Sequence, residues 1–241
     1  MSDKSAIVIG AGDATGGAVA RRFAKAGYVV AATRRNVDQL APLISEIEDA
    51  GGRAIGIGSD ARDEAQTIAL FDRVEAEIAP IEVVVFNIGA NVFFGIEDTT
   101  ARVYRKVWEM AAFAGFLAGR EAARRMVPRQ KGTIIFTGAT ASLRGGAGFS
   151  AFASAKFALR ALAQSMAREL GPKGIHIAHA IIDGAIDTAW IAENFPERHK
   201  LKEQDGILDP DAIAEAYWQL HCQARSAWTH ELDLRPWIEK F

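Results

Sequence analysis

The chain is poor in cysteine and nearly balanced in charge, and each of these features excludes a class of protein. Its single cysteine, Cys222, cannot form an internal disulfide bond, which fits a reducing compartment such as the cytoplasm. We interpret Cys222 as a small helix residue rather than as a reactive thiol. The formal net charge is −2, and no cluster of basic residues dominates. We therefore expect no nucleic-acid partner.

Long apolar runs and linker-like segments are also missing. Residues 1–10 pass directly from polar positions into Ala6-Ile7-Val8-Ile9-Gly10, without the basic and long apolar segments of a signal peptide. The apolar runs are too short to cross a membrane, so we expect a cytoplasmic protein with no membrane partner. No linker rich in Pro, Gly or Ser divides the chain, and no segment repeats. Residues 1–241 are therefore predicted to form a single domain.

The sequence does contain a regular alternation of short apolar runs with longer helical patterns. Runs rich in Val and Ile predict strands buried on both faces, at 7–9, 28–32, 54–57, 83–86, 133–136 and 175–182, with a final edge strand at 231–234. Helical patterns lie near 15–26, 36–50, 63–79, 99–128, 149–170 and 209–226. The alternation implies right-handed crossovers. We predict an α/β fold: a Rossmann-type doubly wound parallel sheet of about seven strands, with helices on both faces.

A glycine-rich turn follows the first predicted strand and opens the first helix. Small residues there let backbone amides approach a pyrophosphate, and the helix N-terminus adds partial positive charge. We predict a dinucleotide phosphate loop, whose candidate residues are Gly10, Gly12, Asp13, Ala14, Thr15 and Gly16. The alternative is a tight strand–helix turn without a ligand.

Two arginines, Arg34 and Arg35, end the second strand, where an acidic residue would bind a ribose 2′-hydroxyl. Arginine instead accommodates a 2′-phosphate, so the pair favours NADP over NAD. A solvated surface pair is the alternative. We expect no metal site.

Phe152 and Lys156 stand four positions apart in an alanine-rich helical run, so both side chains lie on one helical face. The pair resembles the Tyr-x-x-x-Lys signature of the short-chain dehydrogenase/reductase family, with Phe152 in place of the tyrosine. Asn87 and Gly89 match the second and fourth positions of the family's Asn-Asn-Ala-Gly motif, after the fourth strand. Residues 183–188 match its Pro-Gly-x-x-x-Thr motif at Gly184 and Thr188, with Asp183 for the proline. The resemblance covers nearly the whole chain.

The resemblance implies an NADP-dependent oxidoreductase that acts on a carbonyl or alcohol substrate. It implies that Lys156 holds the cofactor ribose, that Asp60 meets the adenine amino group, and that Gly184 and Thr188 join the cofactor site. The segment 186–208, least regular in sequence, falls where the family carries its substrate-covering segment. The helices near 99–128 and 149–170 are those through which the family forms homodimers or homotetramers.

The family's catalytic tetrad of Asn, Ser, Tyr and Lys is incomplete in this chain. By position, its members are Ala112, Ala139, Phe152 and Lys156, so only the lysine is kept. Loss of a general acid costs roughly 10²–10⁴-fold in rate. Thr140 and Ser142 lie close to the serine position as weak candidates, with turn capping as the alternative.

No other side chain is assigned as a substitute acid. Four candidates each have an ordinary structural explanation in helix, strand or core: Tyr104, Tyr217, His176 and His179. Three aromatic residues could wall a substrate pocket or simply pack together: Phe93, Phe94 and Phe149. The alternative function is a catalytically silent NADP(H)-binding sensor or partner subunit.

Overall fold

A computed structural model describes residues 4–240 of the chain. Within that range one parallel sheet of seven strands has the order β3-β2-β1-β4-β5-β6-β7. The strands are β1 (Ser5–Ile9), β2 (Val29–Arg34), β3 (Arg53–Gly58), β4 (Ile81–Phe86), β5 (Gly132–Thr137), β6 (Ile175–Ile182) and β7 (Glu231–Leu234). The predicted Rossmann-type doubly wound parallel sheet is confirmed, with its edge strand at 231–234.

Helices cover both faces of the sheet. They are α1 (Thr15–Lys25), α2 (Ala41–Asp49), α3 (Glu64–Arg73), α4 (Ala101–Trp108), α5 (Ala114–Met126), α6 (Ser150–Leu170), α7 (Ala189–Asn194), α8 (Pro196–His199) and α9 (Pro210–Cys222). Alternate residues of each strand point to opposite faces. Ala6 and Val8 of β1 belong to the core beneath α1 and α9, whereas Ile7 and Ile9 belong to the core beneath α3, α5 and α6. This two-sided burial explains why the strands read as continuous apolar runs.

Several predicted helices are less regular than their patterns suggested. The helix predicted at 36–50 begins as a 3₁₀ turn (Val37–Leu40), where the Asn36 side chain accepts a hydrogen bond from the Asp38 amide. The helix predicted at 99–128 contains a π-helical turn (Glu109–Phe113) between α4 and α5. A π turn inserts one residue per turn without changing the apolar pattern much, so periodicity does not reveal it.

The segment 186–208 is more helical than its sequence suggested. It contains α7, α8 and a 3₁₀ turn (Lys200–Gln204). The Thr188 hydroxyl caps α7 by accepting from the Ile191 amide at 3.1 Å, and Pro196 occupies the first position of α8. Both are local helix-start signals. Among residues 4–240, no helix combines the length and the apolar character needed to cross a membrane.

Candidate functional site

The glycine-rich turn lies between the end of β1 and the start of α1, where the strand order reverses. From β1 the sheet extends through β2 and β3 on one side and through β4 on the other. In open parallel sheets such a reversal opens a crevice at the carboxyl ends of the strands, and ligands bind there.

Backbone geometry requires glycine at Gly10 and at Gly16. Gly10 has a φ of +86°, and a Cβ at this position would lie 2.9 Å from the Asn87 carbonyl oxygen. A Cβ at Gly16 would lie 2.2 Å from the Gly10 carbonyl oxygen. Gly12 differs, because a Cβ there would meet no atom within 4 Å. Gly10 and Gly16 keep the turn tight, whereas Gly12 leaves open space above the backbone of the turn.

The amino-terminal end of α1 has no side-chain cap. Ala14 occupies the N-cap position, and the first turn contains no acidic residue. The hydroxyl oxygen of Thr15 is buried and has no hydrogen-bond partner within residues 4–240. Buried polar groups are nearly always paired, so this end of the helix fits an anionic group such as a pyrophosphate.

A cavity of about 310 Å³ adjoins the turn. The Ser59 hydroxyl, on its wall, is a second buried oxygen that lacks a hydrogen bond in the described part of the chain. The predicted cofactor residues that line this cavity are Gly10, Gly12, Arg34, Arg35, Asp60, Asn87 and Gly89. Residues from the ends of four strands thus meet in one crevice that joins the glycine turn to the arginine pair.

Arg34 is bridged to the glycine turn by an ion pair. Its Nη1 lies 3.1 Å from Oδ1 of Asp13, whose side chain is 93% exposed. Exposed pairs of this kind contribute only about 0–1 kcal/mol, so the Arg34 guanidinium can exchange Asp13 for a phosphate at little cost. Arg35, beside it, is exposed.

Asp60 is held by a residue that the sequence analysis did not single out. Arg62 donates to both carboxylate oxygens of Asp60, from Nε at 2.9 Å and from Nη2 at 2.5 Å. These hydrogen bonds lower the pKa of Asp60. The Arg62 backbone amide also donates to Asp60 Oδ1, at 3.1 Å, so Asp60 accepts three hydrogen bonds from this residue. An ionised carboxylate has about four acceptor sites, so Asp60 can still accept one hydrogen bond from an amino group in the cavity.

Asn87 fastens the glycine turn to the neighbouring strand. Its backbone amide donates to the Ile9 carbonyl at 2.8 Å, and its side-chain amide donates to the Gly10 carbonyl at 3.2 Å. The structure therefore gives Asn87 a role in positioning the turn. Gly89, two residues later, has open space around it.

Lys156 is a buried cation at the carboxyl edge of the sheet. Its ammonium group donates to the Thr137 carbonyl at 2.8 Å and to the Ile88 carbonyl at 3.2 Å. The residue is 2% exposed, and burial lowers the pKa of Lys156 to about 8. The two carbonyls follow β4 and end β5, so the lysine reaches from α6 to the ends of both strands.

Phe152 lies one helical turn before Lys156, with its ring centroid 5.9 Å from the lysine Nζ. That distance is at the outer limit of a cation–π contact. The phenyl ring has no proton to exchange. Ala112 is buried in the π turn, and Ala139 begins a 3₁₀ turn (Thr140–Ser142). None of these three side chains can donate a hydrogen bond to a substrate oxygen.

The two hydroxyl groups near Ala139 have different roles. Ser142 is fully buried, and its oxygen accepts a hydrogen bond from the Ala139 amide at 3.1 Å, which closes the turn. Thr140 instead donates across to the carboxylate of Asp183 at 2.5 Å. Ser142 thus acts in turn capping, whereas Thr140 is coupled to an acidic side chain.

The other residues considered as acids are in structural positions. His179 is buried against Glu231, with Nδ1 3.2 Å from the carboxylate, and burial lowers the pKa of His179 to about 4. The ring of His176 stacks on Trp228 with centroids 4.9 Å apart. The Tyr217 hydroxyl meets the Thr137 hydroxyl at 2.9 Å in the core.

The remaining predicted residues lie outside the lining of the cavity. Tyr104 is exposed on α4. Thr188 caps α7, and Gly184 packs so closely that a Cβ there would lie 2.8 Å from the Pro236 ring. The rings of Phe93 and Phe149 meet edge to face at 5.2 Å, while Phe94 is exposed.

Comparison with known proteins identifies the class that this fold and site define. The family model described as short chain dehydrogenase matches residues 4–199. A "(21S)-21-acetoxyl-apo-melianone synthase SDR" from Melia azedarach is 30% identical over 203 residues, which cover 76% of this chain and 74% of that protein.

Two solved structures are similar over nearly their full length. The crystal structure of a short-chain dehydrogenase from Rhodopseudomonas palustris is 52% identical, with a TM-score of 0.84 over 97% of this chain and 99% of that one. A metagenomic short-chain oxidoreductase in complex with NADP is 26% identical, with a TM-score of 0.84 over 98% of both chains.

The chain belongs to the short-chain dehydrogenase/reductase family, as its motifs predicted. Oxidation and reduction of alcohol and carbonyl groups is the chemistry of this family. The open glycine turn and the unpaired Thr15 and Ser59 hydroxyls within the described chain fit a nicotinamide dinucleotide, and the NADP-bound relative supports the same cofactor class.

Two functional candidates were missed by the sequence analysis. Arg62 follows Asp60 by two positions, a spacing common in turns and therefore uninformative alone. Asp183 was noted only as a replacement for proline, although an acidic residue at the carboxyl end of a buried strand is itself a signal.

Proposed function

We propose that the chain binds NADP(H) and interconverts an alcohol and a carbonyl compound with an incomplete catalytic tetrad. The observation that carries this proposal is the crevice that joins the glycine turn to Arg34 and Arg35, together with the Lys156 ammonium at the same edge of the sheet. The dinucleotide would supply or accept the hydride when bound. The residues of this chain bind and orient the dinucleotide and the substrate and transfer the proton.

Each part of the crevice is assigned a part of the dinucleotide. The amides of the glycine turn and the Thr15 hydroxyl hold the pyrophosphate. Asp60 accepts from the adenine amino group, and Arg34 and Arg35 bind the 2′-phosphate. Lys156 holds the ribose hydroxyls on the nicotinamide side.

The segment 186–208 is proposed to cover the substrate. It presents Trp190 and Phe195, whose rings lie 5.3 Å apart and are both exposed. Exposed aromatic side chains of this kind are suited to pack on an apolar substrate.

A second candidate function is a catalytically silent NADP(H)-binding sensor or partner subunit. The specific observation in its favour is that Ala112, Ala139 and Phe152 place only apolar groups where the family has its donors.

The experiment that separates the two is turnover with a panel of aldehydes and ketones plus NADPH, and of alcohols plus NADP⁺. The wild type is compared with the triple variant Ala112→Asn, Ala139→Ser, Phe152→Tyr. We expect measurable wild-type turnover, and a gain in ketone reduction in the triple variant because the substrate oxygen is polarised again. Phe152→Tyr alone should help little, since the groups act as a unit. Tight NADPH binding with no turnover across the panel would favour the silent alternative.

A further inference from the structure

A hydroxyl and a carboxylate form a close pair beside the emptied tetrad. Thr140 directly follows Ala139, and its Oγ1 donates to Oδ1 of Asp183 at 2.5 Å. Asp183 follows the last residue of β6, and its amide donates to the Leu234 carbonyl at 2.8 Å. The Thr140 turn follows β5, which Lys156 contacts through the Thr137 carbonyl. The pair therefore lies at the carboxyl edge of the sheet, at the ends of β5 and β6, and Lys156 contacts the end of β5.

Asp183 is buried, whereas Thr140 is only half-buried. The aspartate is 1% exposed, and burial of a carboxylate is costly unless it is paired. Two guanidinium groups face it: Arg235 at 3.4 Å and the exposed Arg144 at 3.9 Å. Arg235 is shared with the more exposed Asp233. The cluster thus holds a carboxylate in a dry position, where it accepts a hydrogen bond from the hydroxyl of the half-buried Thr140.

The pair occurs where the chain departs from the family pattern. Asp183 takes the place of the motif proline, which carries no acidic group. The same chain has lost the tyrosine and serine hydroxyls of the family's tetrad, at Phe152 and Ala139. A threonine hydroxyl has one hydrogen to donate and two lone pairs to accept with. Its hydrogen is directed to Asp183, so its lone pairs remain for a substrate O–H.

We propose that Thr140 and Asp183 form the proton path of this site in the direction of alcohol oxidation, an inference that rests on the proposed function. The substrate O–H bond breaks as its proton forms a new O–H bond on Thr140 Oγ1, and the original Thr140 proton moves to Asp183 Oδ1. The electron pair left on the substrate oxygen forms the C=O bond, while the carbinol C–H leaves as hydride to an oxidised nicotinamide dinucleotide. In this path the Asp183 carboxylate, acting through the Thr140 hydroxyl, serves as the base in place of the family's tyrosine phenol.

The test uses the full-length protein, NADP⁺, and cyclohexanol and 1-phenylethanol as probes. Asp183→Asn keeps the shape and an acceptor for Thr140 but removes the base, so kcat should fall at least roughly 100-fold. Thr140→Val should lose a similar factor, and Thr140→Ser should keep the activity within about threefold, since it retains the hydroxyl. The matched control is Asp233→Asn. This change removes the other carboxylate that pairs with Arg235 and should leave kcat nearly unchanged.

Two readouts do not depend on turnover. The Kd for NADP⁺, followed by fluorescence, should be the same in the wild type, Asp183→Asn and Thr140→Val. In protein labelled with ¹³C at the aspartate carboxyl carbons, without dinucleotide, one resonance should vanish in Asp183→Asn and the same one should move in Thr140→Val. If Asp183→Asn does not fold, the comparison of Thr140→Val with Thr140→Ser carries the test.

The outcomes distinguish this inference from the proposed function. Failure to bind NADP⁺ overturns the proposed function. Binding without oxidation of either alcohol, or full activity in Asp183→Asn or Thr140→Val, overturns the proton path and leaves dinucleotide binding intact. A solvent deuterium isotope effect on kcat that disappears in Thr140→Val supports the path, because a purely structural role would not move it.

Discussion

Lys156 is a buried ammonium group held by two carbonyl oxygens, and this position makes the stability of the fold depend on pH. Burial lowers the pKa of Lys156 to about 8 from an ordinary value of 10.5. The unfolded chain therefore binds this proton more tightly than the folded chain does. Between about pH 8 and pH 10.5 the unfolded state carries more protons, so stability rises with pH in this window as far as Lys156 is concerned.

Lys156→Met removes that dependence. We expect the free energy of unfolding of the wild type, relative to that of the variant, to increase by up to about 3 kcal/mol from pH 7.5 to pH 10.5. Urea unfolding at several pH values measures the difference. Lys173→Met serves as the control, since Lys173 is an exposed lysine paired with Glu169. A difference between wild type and Lys156→Met that stays constant over this range would show that the lysine is not desolvated.

At the residue scale, the sequence predicted the side chains that lie together on one helix but not the pairs that join separate strands. The four-residue spacing of Phe152 and Lys156 was enough to place them on one face of α6, because helix geometry is local. The bond between Thr140 and Asp183 joins residues 43 positions apart, and such a bond depends on the register between β5 and β6. No local pattern encodes that register.

At the scale of elements, the turn between β1 and α1 contains glycines that packing requires and one glycine that packing does not require. Gly16 is required by packing, because a Cβ there would overlap the Gly10 carbonyl. Gly12 is not required by packing, since nothing lies within 4 Å of its Cβ position. We propose that its lack of a side chain allows the close approach of a ligand.

Gly12→Ala should accordingly fold with a melting temperature close to that of the wild type. Its Kd for NADPH should rise at least roughly tenfold, about 1.4 kcal/mol. The control is Gly171→Ala, at another glycine with open space around it, which lies in the turn before β6 and therefore at the opposite edge of the sheet from the crevice. Calorimetric titration and thermal melting of both variants provide the check. An unchanged NADPH affinity in Gly12→Ala would contradict the assignment of the phosphate loop.

The helices and strands themselves were largely predictable, because each is set by a pattern within its own residues. The strands at 175–182 and 231–234 begin and end where their apolar patterns do. The π turn at 109–113 and the short helices within 186–208 were not predicted. Their stability depends on caps and on contacts with distant parts of the chain, such as the hydrogen bond that Trp237 Nε1 donates to the Gln204 carbonyl at 2.8 Å.

At the scale of the whole molecule, an aromatic surface on α4 and α5 remains exposed. Trp108, Phe113 and Phe116 stack with centroid distances of 6.1 and 6.2 Å, and Trp108 and Phe116 are 41% exposed. Phe157 on α6 is also exposed. We propose that this surface is covered by a second copy of the chain, in a homodimer or homotetramer formed through the helices near 99–128 and 149–170.

Light scattering at micromolar concentration should give the mass of a dimer or a tetramer. Phe116→Glu should shift the mass toward that of a monomer, since it places a charge in the apolar surface. Trp237→Glu is the control, because Trp237 is an exposed aromatic residue at 75% but lies on the carboxyl-terminal segment. A monomeric wild type, or equal masses for Phe116→Glu and the wild type, would contradict the proposed assembly.

The most direct test of the account is a calorimetric titration of the chain with NADPH and, separately, with NADH. The crevice that joins the glycine turn to Arg34 and Arg35 predicts binding of both, with NADPH at least roughly tenfold tighter, about 1.4 kcal/mol, and Arg34→Asp should erase that gap. Equal affinities for the two dinucleotides in the wild type would contradict the assignment of the arginine pair, and the absence of binding to either would contradict the proposed function as a whole.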